Sequence, residues 1–115
     1  MATKDEVERY LKELKFKAGW SGILILDDRS KNAQTLHDLE LSPNKRKEII
    51  LDLKPEDYSE GPLEEKMRGM LPMWVFGKTV KGAEIYIKVT MGIPNREVIC
   101  ISFHIAEHPI VYPLK

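Results

Sequence analysis

Cysteine is almost absent from this sequence. Cys100 stands alone in 115 residues, so no internal disulfide can form and the chain must hold together through its core. A metal centre built on paired thiolates is excluded with it, and the three histidines, His37, His104 and His108, fall in no zinc-ligand spacing. An excess of charge is also lacking. Lys plus Arg and Asp plus Glu number 18 each, which removes the bulk attraction for nucleic acid that a basic domain exerts; any polyanion site has to be local. No apolar run reaches membrane-spanning length, and the charged residues 1–8 lack the apolar core of a secretory signal. The expected setting is a reducing cytoplasm, with no membrane association. Gly77-Lys78-Thr79 lacks the upstream glycine of a phosphate loop, and no elbow motif surrounds Ser59, Cys100 or Ser102. No motif asks for a cofactor.

What is present is ordinary globular composition, 43% apolar and 31% charged, at the usual length of one domain. Residues 1–115 are therefore expected to form a single domain, with 105–115 as a proline-containing C-terminal tail. Thr3 can cap a helix carrying Asp5 and Glu6 in its first turn, and Val7, Tyr10, Leu11 and Leu14 follow at helical spacing until Gly19 marks the end. Residues 22–26 read as a short buried strand. Residues 32–40 predict a short helix with Leu36 and Leu39 inward, and Ser42-Pro43 starts another, its apolar stripe made of Ile49, Ile50 and Leu53. Asp57-Tyr58-Ser59-Glu60-Gly61-Pro62 has the composition of an exposed loop.

From Met73 the periodicity changes. Runs rich in valine, isoleucine and aromatics, separated by glycine-containing turns, predict a meander of three antiparallel strands over 73–80, 84–91 and 97–104. Helices followed by strands argue for an α+β class. In the middle strand Ile85, Ile87 and Val89 share one face, while Glu84, Tyr86, Lys88 and Thr90 share the other. Trp74 and Phe76 fall together on one side of the first strand, with Val75 opposite. The tail is too rich in proline for a central strand and is expected along an edge.

Tyr86, Lys88 and His104, with Lys78 and Lys81 nearby, are the residue types that RNA phosphodiester cleavage requires. A base removes the 2′-hydroxyl proton, an acid protonates the departing 5′ oxygen, and cations offset charge on phosphate. Histidine changes charge nearest neutrality, which makes His104 the natural proton-transfer group. Alternating polar residues are equally the default for the exposed face of an antiparallel sheet. Cys100, in the run Val98-Ile99-Cys100-Ile101, is expected to be a buried inert thiol. His37 reads as a surface residue and His108, before Pro109, as a turn-ordering one. Arg29 with Lys31, and Lys45-Arg46-Lys47, read as solvated charge or as the border of an anionic site.

Residues 22–104 resemble the MqsR-type toxins of bacterial type II toxin–antitoxin systems, within the RelE-like superfamily. The shared features are a short strand, a Leu-rich helix pair, an Asp-Tyr loop and a Trp-bearing strand. They continue with Gly82-Ala83-Glu84-Ile85-Tyr86-Ile87-Lys88 and Ile99-Cys100-Ile101-Ser102-Phe103-His104. The resemblance implies a RelE-like fold, with N-terminal helices packed on a small antiparallel sheet. It also implies metal-independent cleavage of messenger RNA and inhibition by a cognate antitoxin protein. Tyr86 matches the family's active-site tyrosine, Lys88 lies in the same motif, and His104 stands where the family can carry a lysine. Tyr58 aligns with the family's aromatic loop. Two site positions depart from the pattern: Val75 replaces a glutamine after the tryptophan, and Ser59-Glu60 stand where the family has a lysine. Net neutrality and the tail beyond His104 are further departures, and the tail is in a position to cover or complete the site.

The resulting expectation is a toxin-like endoribonuclease. Tyr86, His104 and Lys88 are its catalytic candidates, Tyr86 and His104 for proton transfer and Lys88 for stabilising phosphate charge, and Lys78, Lys81, Tyr58 and Arg29 are its candidates for holding RNA phosphate. The competing class is a non-catalytic domain on the same scaffold that uses the polar sheet face to bind a protein.

Overall fold

The computed structural model describes residues 1–27, 30–64 and 71–115. Helix α1, Lys4–Ser21, begins at a capping box: Glu6 N donates to the Thr3 hydroxyl at 3.2 Å, and Thr3 N donates to the Glu6 carboxylate at 2.9 Å. It runs two residues beyond Gly19. The stop lies at Gly22, whose φ of 84° is open to glycine and whose N–H donates to Ala18 O. Strand β1, Ile23–Ile25, leads to helices α2, Ser30–Leu39, and α3, Pro43–Leu51, the latter capped by the Ser42 hydroxyl on Lys45 N. A single 3-10 turn, Pro55–Asp57, precedes β2, Tyr58–Leu63, and then come β3, Met73–Val80, β4, Ala83–Thr90, and β5, Val98–Ile105.

The architecture is α+β, built on a five-stranded mixed sheet in the order β1-β5-β4-β3-β2. The meander is its centre. β3–β4 and β4–β5 pair antiparallel, whereas β1 lies parallel to β5 with Ile23 opposite Val98. Period-2 alternation sends Trp74, Phe76, Ile85, Ile87, Val89 and Phe103 to one face, where they pack with Val7, Leu11 and Leu14 of α1 and Ile49 and Ile50 of α3. Tyr10 stacks on Trp74 with ring centroids 4.2 Å apart. Helix α2 is fixed to the sheet by polar groups. Asn32 donates to Leu26 O and Ile101 O and accepts from Phe103 N, so one buried amide satisfies three backbone groups, two of β5 and one of the turn after β1. Among the described residues no helix is long and apolar enough to cross a membrane.

Three expectations need correction. The segment expected as an exposed loop is largely strand β2, because Tyr58 buries its ring against Phe76 and Trp74. Its hydroxyl donates to Gly61 O at 2.6 Å and accepts from Ala2 N at 3.1 Å. Register shifts at Glu60 let the strand accommodate Gly61 and Pro62 on the sheet edge. Arg46 is not solvated charge. Its side chain is only 3% exposed and forms two bonds to Asp27, at 2.6 and 2.9 Å, where α3 meets the turn after β1. Finally, the segment after β5 crosses the open face of the sheet instead of following an edge. Gly77 permits this: with no Cβ, it leaves room for the Tyr112 ring and the Ile110 side chain directly over β3.

Candidate active site

The meander's register assembles the site. Tyr86 pairs with His104 and with Gly77, and Lys88 pairs with Ser102 and with Val75, so these side chains share the face opposite the helices. A shift in the β4–β5 register just after Lys88 bends the sheet at the end of this row. The Tyr86 and His104 rings stack at 5.3 Å between centroids with 20° between planes, and Lys88 Nζ lies 5.8 Å from the Tyr86 centroid. Two flat rings and a cation thus form a continuous surface.

The segment after β5 converts this surface into a cleft of about 450 Å³. Ser59, Glu60, Tyr86, Lys88, Ser102 and His104 line its sheet side, and residues 107–111 form the facing wall. Glu84 latches that wall: Oε1 accepts from Ile110 N at 3.0 Å and Oε2 from the Tyr112 hydroxyl at 2.8 Å. At the near end Glu107 pairs with Lys31 of α2 at 2.5 Å, both side chains remaining more than half exposed. The hydrogen bond from Lys31 holds the Glu107 carboxyl below its ordinary range.

Protonation states follow from these contacts. His104 Nδ1 lies 3.0 Å from Ile105 O. A carbonyl oxygen can only accept, so Nδ1 carries a proton and the neutral ring leaves its lone pair on Nε2. Burial, reinforced by the Glu60 carboxylate, pushes the Tyr86 hydroxyl above its ordinary pKa. Tyr86 therefore remains a phenol, a hydrogen-bond donor to an anion and not a phenolate base.

Three of the four phosphate-holding candidates lie elsewhere. Lys78 follows Trp74 and Phe76 to the helix-bearing face, where it pairs with Asp57 at 3.1 Å and Asp52 at 3.6 Å. Lys81 donates to Leu39 O and Glu40 O at the C-terminal end of α2, which a cation stabilises through the helix dipole. Tyr58 is core. Arg29 falls outside the described residues. Of the seven candidates, Tyr86, Lys88 and His104 come together and Lys78, Lys81 and Tyr58 do not.

Sequence reasoning missed Glu60, because residues 57–62 read as loop; it allowed the tail to cover or complete the site but did not single out residues 107–111 as a wall. One signal for the wall existed: a glycine at position 77 inside an apolar strand marks close approach by another segment. Cys100 is fully buried, and burial pushes its thiol up to about 12. Among the described residues, no group of three or more His, Cys, Asp or Glu side chains is gathered to hold a metal ion. No family model matches the chain, and neither a curated protein nor a solved structure matches it.

Proposed function

We propose that this protein is a toxin-type endoribonuclease that cleaves messenger RNA without a metal ion and is held in check by a cognate antitoxin protein. The observation that carries the reading is the stacked Tyr86–His104 pair with Lys88 beside it, facing an open cleft. His104 Nε2 accepts the proton of a ribose 2′-hydroxyl, and the freed oxygen attacks the adjacent phosphorus. Lys88 offsets the charge gathering on the phosphoryl oxygens, and the Tyr86 phenol donates a hydrogen bond to one of them. A positioned base contributes about 10²- to 10⁴-fold to such a reaction.

The order of elements supports the same reading. A short strand, a helix pair, Asp57-Tyr58, a Trp-bearing strand, the Tyr86-x-Lys88 strand and a strand through Ser102-Phe103 follow one another as in MqsR-type toxins. The scaffold this favours is RelE-like. The rival reading, a non-catalytic protein-binding face, draws on one observation: Glu60 places a carboxylate beside Tyr86, where a polyanion gains nothing from it.

Expression of the chain by itself separates the two. An endoribonuclease toxin arrests growth and depletes transcripts, and Tyr86→Phe or His104→Ala relieves both. A wild type that accumulates as folded protein while growth and messenger RNA stay intact favours the rival.

A further inference from the structure

Transphosphorylation of RNA has two proton transfers, and the site as described supplies only one of them. His104 takes a proton from the 2′-hydroxyl. The departing 5′ oxygen must receive one, and an oxygen that leaves as alkoxide without it is a very poor leaving group. Lys88 is placed to offset phosphoryl charge, and the Tyr86 phenol to hold a phosphoryl oxygen. A second imidazole lines the same cleft: His108, on the segment after β5, contributes to its wall together with Glu107 and residues 109–111.

We infer that His108, carried into the cleft by the segment after β5, is the general acid that protonates the departing 5′ oxygen. The inference rests on the ribonuclease reading above and deepens it. In the step itself, the 2′ O–P bond forms as the P–O5′ bond breaks. The 2′-hydroxyl proton passes to His104 Nε2 and the His108 imidazolium proton to O5′, leaving a 2′,3′-cyclic phosphate and a free 5′-hydroxyl. Charge and protons balance with no further reactant.

Three features of the structure fix the segment that carries His108. Glu84 fixes the chain two and four residues further on, through Ile110 N at 3.0 Å and the Tyr112 hydroxyl at 2.8 Å. Pro109 restricts the backbone between His108 and that latch. Gly77 lets the Ile110 and Tyr112 side chains settle onto β3, where any Cβ would collide with them. Such a fixed segment, held by residues of both β3 and β4, is more than a turn needs. His108 is itself exposed, so replacing it removes a functional group and leaves the core untouched.

The test compares two substrates in EDTA: a short RNA oligonucleotide, and uridine 3′-(p-nitrophenyl phosphate), whose leaving group departs without a proton. His108→Ala and His108→Gln should cleave the oligonucleotide about 100-fold more slowly and the activated ester within about threefold of wild type. His104→Ala should be impaired on both. Equal loss on both substrates in the His108 variants, or no loss on RNA, overturns the assignment while leaving the ribonuclease reading in place. A folded wild type that cleaves neither substrate removes the ribonuclease reading and the His108 assignment with it.

Discussion

Gly77→Ala tests how the cleft wall is held. A methyl group at that position would sit 2.4 Å from the Tyr112 hydroxyl oxygen, 2.8 Å from Ile110 Cδ1 and 2.9 Å from Tyr112 Cε1, where ordinary contact begins at 3.4 Å. The Tyr112 ring must therefore withdraw by about 1 Å, which stretches its 2.8 Å bond to Glu84 beyond hydrogen-bond reach. A hydrogen bond to a charged acceptor contributes about 1.5–3 kcal/mol, and the partial exposure of Tyr112 places it at the low end. If Ile110 N loses Glu84 as well, opening of the segment becomes about 10- to 100-fold easier. The strand responds the other way, since alanine within a strand is favoured over glycine by about 0.5–1 kcal/mol. Hydrogen exchange separates the two effects. The Ile110 amide should exchange about 10- to 100-fold faster, while the amides of Ile87 and Phe103 in the core stay within about fivefold of wild type. Unchanged protection at Ile110, or acceleration in step with Ile87, would refute the proposition that Gly77 and Glu84 hold the wall.

Asp27→Asn should lower stability to urea by about 1–3 kcal/mol, because it leaves the buried Arg46 guanidinium without its carboxylate while water still reaches the half-exposed residue 27. The bond from Arg46 holds the Asp27 carboxyl below its ordinary range, so its contribution is complete above the unfolded pKa of about 4 and is lost as pH falls through the folded one. Wild type should therefore lose stability more steeply than Asp27→Asn on acidification below about pH 4; parallel acid profiles would contradict this. Lys78→Met and Lys81→Gln should leave RNA cleavage within about twofold, since both lysines are engaged away from the cleft, and a loss of tenfold or more would return them to the site. Cys100, buried and with its thiol pushed up to about 12, should resist a thiol reagent in the native protein and react once the chain is unfolded. Labelling of the native state at the rate of a free thiol would place it at the surface.

The meander was legible in the sequence because its signals are local. Alternating valine and isoleucine with Gly82 and Gly92 in the turns is enough to set three strands within a residue of their observed ends. The Tyr86–His104 register follows from the same pattern once the strands pair antiparallel. What escaped depends on contacts distant in sequence. Tyr58 belongs to a strand only because Phe76, Gly61 and Ala2 meet it, and a run of Ser, Glu, Gly and Pro beside it conceals this. Strand periodicity itself carries Lys78 away from the cleft: two residues beyond a core aromatic, it must share that aromatic's face. Arg46 sat in a basic triplet that reads as solvated, yet helical geometry turns one of any three consecutive residues inward, here toward Asp27. The crossing of the segment after β5 is set by Glu84 and Gly77, neither of which carries a binding motif of its own.

The central claim is that Tyr86, Lys88 and His104 form a metal-independent ribonuclease site, and cleavage of an RNA oligonucleotide by the purified full chain in EDTA tests it most directly. Wild type should yield products ending in a 2′,3′-cyclic phosphate, with His104→Ala slower by about 100-fold or more and Tyr86→Phe also impaired. Intact RNA after incubation with folded wild type, or cleavage that His104→Ala leaves unchanged, would contradict it.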